Sequence, residues 1–248
     1  MKLIGDAVNA VQRNLGALGL FVAASLALNT LVFFADGLSG IASDPANLTL
    51  FDSMYFLARG LVIVSISSAA ATVAFAWMGR EIDRPLWKVD GTKEALRRFF
   101  PVWFTINFMG WAPTFLGMTL AQRTSTAPLG YLLLLLSVIY ALFSTPIGTC
   151  IMFHGRFRWD QFGESLYPLV KQAPKTGVVL LVTITQVGLI LYLDLVGGAG
   201  PAAFDIRGLL TDYATSVVNV YIECLVFAAV WIICIIDRDT FEEVDLDF

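Results

Sequence analysis

Six apolar runs, separated by short polar connections, order the whole chain: Leu15 to Phe34, Phe56 to Trp77, Phe99 to Leu120, Leu129 to Met152, Gly177 to Leu195 and Val217 to Ile236. A helix rising about 1.5 Å per residue needs roughly 20 residues to cross about 30 Å of hydrocarbon, and each run is close to that length. The pattern predicts an all-α integral membrane protein with six transmembrane helices. The first run follows Lys2 and Arg13 as a signal peptide would, but no A-x-A-like cleavage site follows it, so it is expected to stay as an uncleaved span.

Three stretches lead into odd-numbered runs in a similar way: GDAVNAVQRNLGALGLF from Gly5, GTKEALRRFFPVWF from Gly91 and GESLYPLVKQAPKTGVVLL from Gly163. Each begins with Gly and a polar residue and carries a basic residue seven or eight positions on, at Arg13, Arg98 or Lys171. Apolar positions recur near i, i+3, i+4 and i+7: Ile4, Val8, Val11 and Leu15; Leu96, Phe99, Phe100 and Trp103; Leu166, Leu169, Val170 and Ala173. This spacing predicts short cytoplasmic amphipathic helices before spans 1, 3 and 5. Their apolar faces would lie in the acyl boundary, and Arg13, Lys93, Arg97, Arg98, Lys171 and Lys175 would reach lipid headgroups. Pro101 and Pro174 would sit where the chain turns from the membrane plane into the span. The single membrane domain, residues 1–236, then divides into three hairpins, about 1–77, 88–152 and 160–236, followed by an acidic tail at 237–248. This layout around Gly5, Gly91 and Gly163 resembles the YciC-like bacterial inner-membrane family and the membrane domain of glycerophosphoryl diester phosphodiesterase type. The resemblance implies a helical membrane bundle without an active site of its own, and it assigns no functional residues.

Composition agrees: 57% of residues are hydrophobic, 15% are charged and mean hydropathy is +0.74. The formal charge of −4 is a property of the tail, where six of the 20 acidic residues fall after Ile236 beside one arginine. Putting the N-terminus in the cytoplasm leaves only Arg59, Arg123 and Arg207, of 16 basic residues, on the other side. That asymmetry predicts cytoplasmic N- and C-termini, and the resemblance implies a bacterial inner membrane. DRDTFEEVDLDF is expected to be a solvated tail, with docking of a basic protein partner as the competing reading.

Catalytic and metal chemistry finds little material. His154 is the sole histidine, which rules out histidine clusters and HExxH; it is expected to be an interfacial hydrogen-bonding residue. GxSxG, Walker and Rossmann patterns are absent, and GGAG at 197–200 reads as a turn. Asp90-Gly91 superficially matches the start of a lipid-headgroup transferase motif, but Ala95 comes one residue late and the downstream aspartates are missing. Cys150, Cys224 and Cys234 all fall inside spans and are expected to be buried and apolar in character. No cofactor, metal or nucleic acid is expected. The expected partners are membrane lipids and a protein met in the membrane or at the acidic tail.

Polar groups inside spans are the remaining site candidates, because ionisable residues in hydrocarbon are costly. Glu223 is the deepest, about nine residues and hence roughly 13 Å into the sixth span. Arg59, at similar depth, is its expected ion-pair partner; Asp194, Asn107 and Gln186 complete the candidate set, with Asn29 as a further neutral polar group. Pro113 and Pro146 predict kinks, and Ser65, Ser67 and Ser68 with Ala69 to Ala71 predict a close-packing face. The preferred expectation is a non-enzymatic structural or accessory component of a membrane assembly, or a membrane-homeostasis factor. The alternative is a transporter or channel for a small or lipid-like solute. A polar cavity reaching Glu223 separates the two.

Overall fold

The structure, a computed structural model, describes residues 2–39, 50–82, 91–121, 124–154, 162–197 and 206–245. These residues form helices α1 (Lys2–Arg13), α2 (Leu15–Ser39), α3 (Leu50–Ile82), α4 (Thr92–Ala121), α5 (Ala127–Phe153), α6 (Phe162–Ser165), α7 (Tyr167–Lys171), α8 (Ala173–Gly197) and α9 (Ile206–Asp245). No strand occurs among the described residues. Among them, α2, α3, α5, α8 and α9 are long and apolar enough to cross a membrane. The 30-residue α4 is long enough, but Pro101, Trp103, Asn107, Trp111 and Pro113 dilute its apolar character.

From α2 to α5, and again between α8 and α9, consecutive long helices run antiparallel, as the register of their contacts shows. Along α2 and α3, Asp36 meets Arg59 and Phe21 meets Phe75. Down α3, Gly60, Ser68 and Phe75 meet Trp111, Asn107 and Trp103 of α4 in reverse order. From α4 to α5, Gly117 faces Gly130 and Trp103 donates to Met152 Sδ at 3.5 Å. Gln186 of α8 meets Asn219 of α9, while Lys171, just before α8, meets Asp237 near the far end of α9.

α9 occupies the centre, in contact with α1, α2, α3, α5 and α8. A helix that is apolar on every side can be buried on every side, and Cys224 to Trp231 are buried without interruption. The peripheral α5 instead exposes Tyr131, Leu132, Leu135, Ile139 and Phe143, a surface suited to lipid. Where helices meet most closely, glycine is required. A Cβ on Gly60 would lie 2.0 Å from the Trp111 ring, and one on Gly130 would lie 2.3 Å from the backbone nitrogen of Ala121.

The entry segments differ from the expected ramps. In α1, Ala7 and Val11 are fully buried against the bundle, so its apolar face seals protein and does not lie in lipid. At α4, Ala95, Phe99, Val102, Trp103 and Ile106 form one unbroken buried stripe, which keeps the charged start collinear with the rest. The chain therefore does not turn at Pro101, which sits exposed inside a continuous helix. Breaks do occur at Asn14, between α1 and α2, and at Gln172, between α7 and α8. Asn14 Nδ2 caps α1 by donating to the Ala10 carbonyl at 2.8 Å. Pro174 occupies the first turn of α8, where a missing N–H costs no helix bond.

The glycines heading the three stretches are also unlike one another. Gly5 lies inside α1 and Gly163 inside α6, whereas Gly91 precedes α4 at φ +94°, a conformation that favours glycine. Pro113 and Pro146 lie within unbroken helices. The acidic tail is also helical where described, since α9 continues to Asp245; residues 246–248 and the GGAG sequence after Gly197 lie outside the described residues. The start of that extension is held by Lys171 Nζ, 2.9 Å from the buried Asp237 carboxylate. All three cysteines are free and buried, and α5 and α9 bring Cys150 Sγ within 3.7 Å of Cys234 Sγ.

Gly130→Ala is expected to force α4 and α5 apart, because its new Cβ meets backbone. Over-packing of this kind costs about 1–3 kcal/mol and should lower the unfolding temperature in detergent by several degrees. Gly188→Ala, whose Cβ meets nothing within 4 Å, should leave that temperature unchanged.

Candidate functional site

Aromatic packing at the middle of the bundle sets one wall of a cavity. Phe75 of α3 stacks on Phe227 of α9 at 4.4 Å between centroids and 3° between planes. Trp103 of α4 tilts onto the same ring at 4.7 Å, and Phe21 of α2 meets it edge-on at 5.7 Å. On the side of this cluster toward the N-terminal half of α9 lies a cavity of about 270 Å³ between α2, α3, α4, α5 and α9. Trp111, seated over Gly60, borders it as well.

Polar side chains from all five helices reach this space. α9 supplies Asn219 and Glu223, one helical turn apart on one face. α4 supplies Asn107, α5 supplies Ser144 and Thr145, and Ser67 and Ser25 come from α3 and α2. Their hydrogen bonds have a direction. Gln186 Nε2 of α8 donates to Asn219 Oδ1 at 2.6 Å, and Asn219 Nδ2 donates to Glu223 Oε1 at 2.8 Å. Two amides in series thus point their donors at the carboxylate.

The second Glu223 oxygen has no hydrogen-bond partner among the described residues. Asn107 is oriented similarly by its neighbour. The hydroxyl of buried Ser68 gives its proton to the Val64 carbonyl at 2.6 Å, so it must accept from Asn107 Nδ2, 2.9 Å away. That leaves Asn107 Oδ1 as an open acceptor beside the cavity. No lysine, arginine or histidine lines the space among the described residues, and Glu223 is its one ionisable carboxyl. Glu223 is half-buried, and its second oxygen is not among the fully buried polar atoms, so a partner entering this space can reach it.

The structure brings together part of the set expected from sequence. Asn107 and Glu223 share the cavity, and Gln186 stands behind Glu223, linked to it through Asn219. Arg59 is not part of it. Its Nη2 lies 2.7 Å from Asp36 Oδ2, and Tyr55 donates to the other Asp36 oxygen at 3.0 Å. The expected Arg59–Glu223 pair is thereby corrected. α2 runs past its apolar stretch to Ser39, which carries Asp36 opposite Arg59, a partner nearer than any on α9. Asn29 joins α2 to α9 by donating to Ser216 Oγ at 2.8 Å. The side chain of Asp194 lies outside the described residues.

Of the basic residues expected at headgroups, Arg13, Lys93, Arg97 and Arg98 are exposed, and the last three border a groove of about 590 Å³ at the start of α4. Lys171 is engaged by Asp237, and Lys175 donates to Gln172 Oε1 at 3.0 Å. Sequence reasoning placed Ser67 on a close-packing face and missed Ser25, Ser144, Thr145 and Asn219. One signal was available: Asn219 precedes Glu223 by four residues on an otherwise apolar stretch. Among the described residues, no group of three or more His, Cys, Asp or Glu side chains is gathered to hold a metal.

No known protein family, characterised protein or solved structure matches this chain.

Paired substitutions separate the two polar centres. Arg59→Gln and Asp36→Asn should be non-additive in detergent unfolding, with a coupling of about 0.2–1 kcal/mol as expected for a partly exposed pair. Arg59→Gln and Glu223→Gln should be additive; coupling of similar size between them would contradict the observed pairing.

Proposed function

We propose that this chain is a non-enzymatic, multi-pass membrane protein that binds a small solute in the cavity at Glu223, as a transporter or channel does. The observation that carries this reading is the cavity itself: about 270 Å³ in the middle of the bundle, bordered by polar groups from five helices and one incompletely partnered carboxylate. A structural or accessory bundle has no need of such a space. Its interior would be filled, and interhelical hydrogen bonds would close on themselves. Solute pathways in membranes do place polar and ionisable groups in cavities between helices.

In the same reading α4 is the sixth span. Its register with α3, from Gly60–Trp111 through Phe75–Trp103, supports a shared depth, since two helices in contact along that length cross the same layer. Both termini are then cytoplasmic, as the basic residues suggest, and the resemblance supports a bacterial inner membrane. Glu223 faces the half of the bilayer away from the cytoplasm.

Cysteine accessibility tests the topology and the cavity together. In intact cells, Ser125→Cys should react with a membrane-impermeant maleimide, whereas Lys93→Cys should react only after permeabilisation. Equal reactivity would put both ends of α4 on one side and remove the sixth span. A small water-soluble methanethiosulfonate should modify Ser67→Cys and Ser144→Cys but not the exposed, lipid-facing Ile139→Cys. Protection of both cavity positions would mean a dry interior and would favour the accessory reading. The three native cysteines, all buried, provide a low background.

A further inference from the structure

The chemistry of the cavity selects among solutes. Resting on the reading of this space as a solute site, we propose that its ligand is an organic ammonium cation. Three observations converge on this class. First, the sole formal charge on the lining among the described residues is Glu223, with no cation to neutralise it. Second, the second Glu223 oxygen and Asn107 Oδ1 are open acceptors, and the hydroxyls of Ser25, Ser67 and Thr145 can accept as well as donate. A ligand that brings positive charge would complete Glu223, and N–H groups on it would find these acceptors. Third, Phe75, Trp103 and Trp111 line the same space, and aromatic faces attract ammonium groups.

Each alternative class fails on one of these points. An anion would meet the Glu223 carboxylate and no counter-charge. A neutral solute would supply no counter-charge for the Glu223 carboxylate. A bare metal ion needs several oxygens converging at bonding distance, whereas here one carboxylate and scattered amide and hydroxyl groups surround about 270 Å³ with aromatic rings between them. That volume corresponds to roughly nine waters of bulk liquid, at about 30 Å³ each, which leaves room for the substituents of an amine. The ion is held at Glu223, with Asn219 and Gln186 fixing the carboxylate from behind.

The test uses the purified full-length chain in detergent, titrated separately with tetramethylammonium, ethylammonium, sodium and tert-butanol, the last a neutral, branched control. The readouts are unfolding temperature and tryptophan fluorescence. Both organic cations should stabilise the wild type and perturb its fluorescence, at concentrations at least about tenfold below those at which sodium or tert-butanol act. Glu223→Gln should weaken that response by about tenfold or more, Glu223→Asp should retain most of it, and Trp111→Leu should weaken tetramethylammonium binding by about three- to tenfold. Should Glu223→Gln fail to fold, Ser67→Leu fills the cavity without touching the carboxylate and should abolish the response; persistence of it there would overturn the proposal. Equal potency of sodium or tert-butanol would also overturn it, as would an unchanged response in Glu223→Gln. Stabilisation by neutral or anionic solutes that Ser67→Leu removes would keep the solute site and reject the ammonium class. No response to solutes of any class would sink both.

Discussion

The stacked rings of Phe75 and Phe227 are the contact on which the rest of this bundle depends. Between helices in lipid there is no hydrophobic driving force to spare, because acyl chains are as apolar as leucine. Association then rests on close packing and on the few polar contacts available. Phe75 packs on α9 through Phe227, on α4 through Trp103 and on α2 through Phe21, so one side chain joins four helices. Phe227 continues the cluster to Trp231, and Trp231 to Phe153 of α5. Aromatic groups suit this role, as each brings a large contact area with few rotatable bonds.

The same cluster gives the cavity its shape. Bulky rings fill the bundle on one side of Phe75, while serine, threonine and asparagine side chains occupy comparable positions on the other. These residues are too small to meet across five helices, and a space remains. Trp111 can border it only because Gly60 lets the indole rest on the backbone of α3. Glu223, half-buried, is held in that space through one oxygen by Asn219, which Gln186 fixes in turn, while its other oxygen stays open. The proposed ligand would complete that second oxygen.

At the opposite end, amphipathic segments cover the bundle. α1 lays Ala7 and Val11 on it, and α4 begins with Ala95 and Phe99 already buried. Their spacing was readable in the sequence, but their destination was not. An apolar stripe at i, i+3, i+4 and i+7 states that one face must leave water, and lipid and protein satisfy that demand equally. Closure of the α9 end supplied the protein surface. Lys171 shows the same ambiguity for charge, since a lysine suited to a phosphate is paired with Asp237.

Sequence alone determined the helical class, the positions of the apolar runs and the identity of Asn107, Gln186 and Glu223 as polar groups that hydrocarbon must accommodate. These follow from local properties: run length against bilayer thickness, and the cost of an ionisable group in an apolar stretch. The partners of those groups were decided by tertiary structure. Arg59 went to Asp36 because α2 extends beyond its apolar run, and Asn107 met Glu223 across a cavity because α4 packs on α3 while α9 occupies the centre. Depth along a helix can be counted from sequence, but azimuth and neighbour depend on how every other helix packs, and no local pattern carries that information.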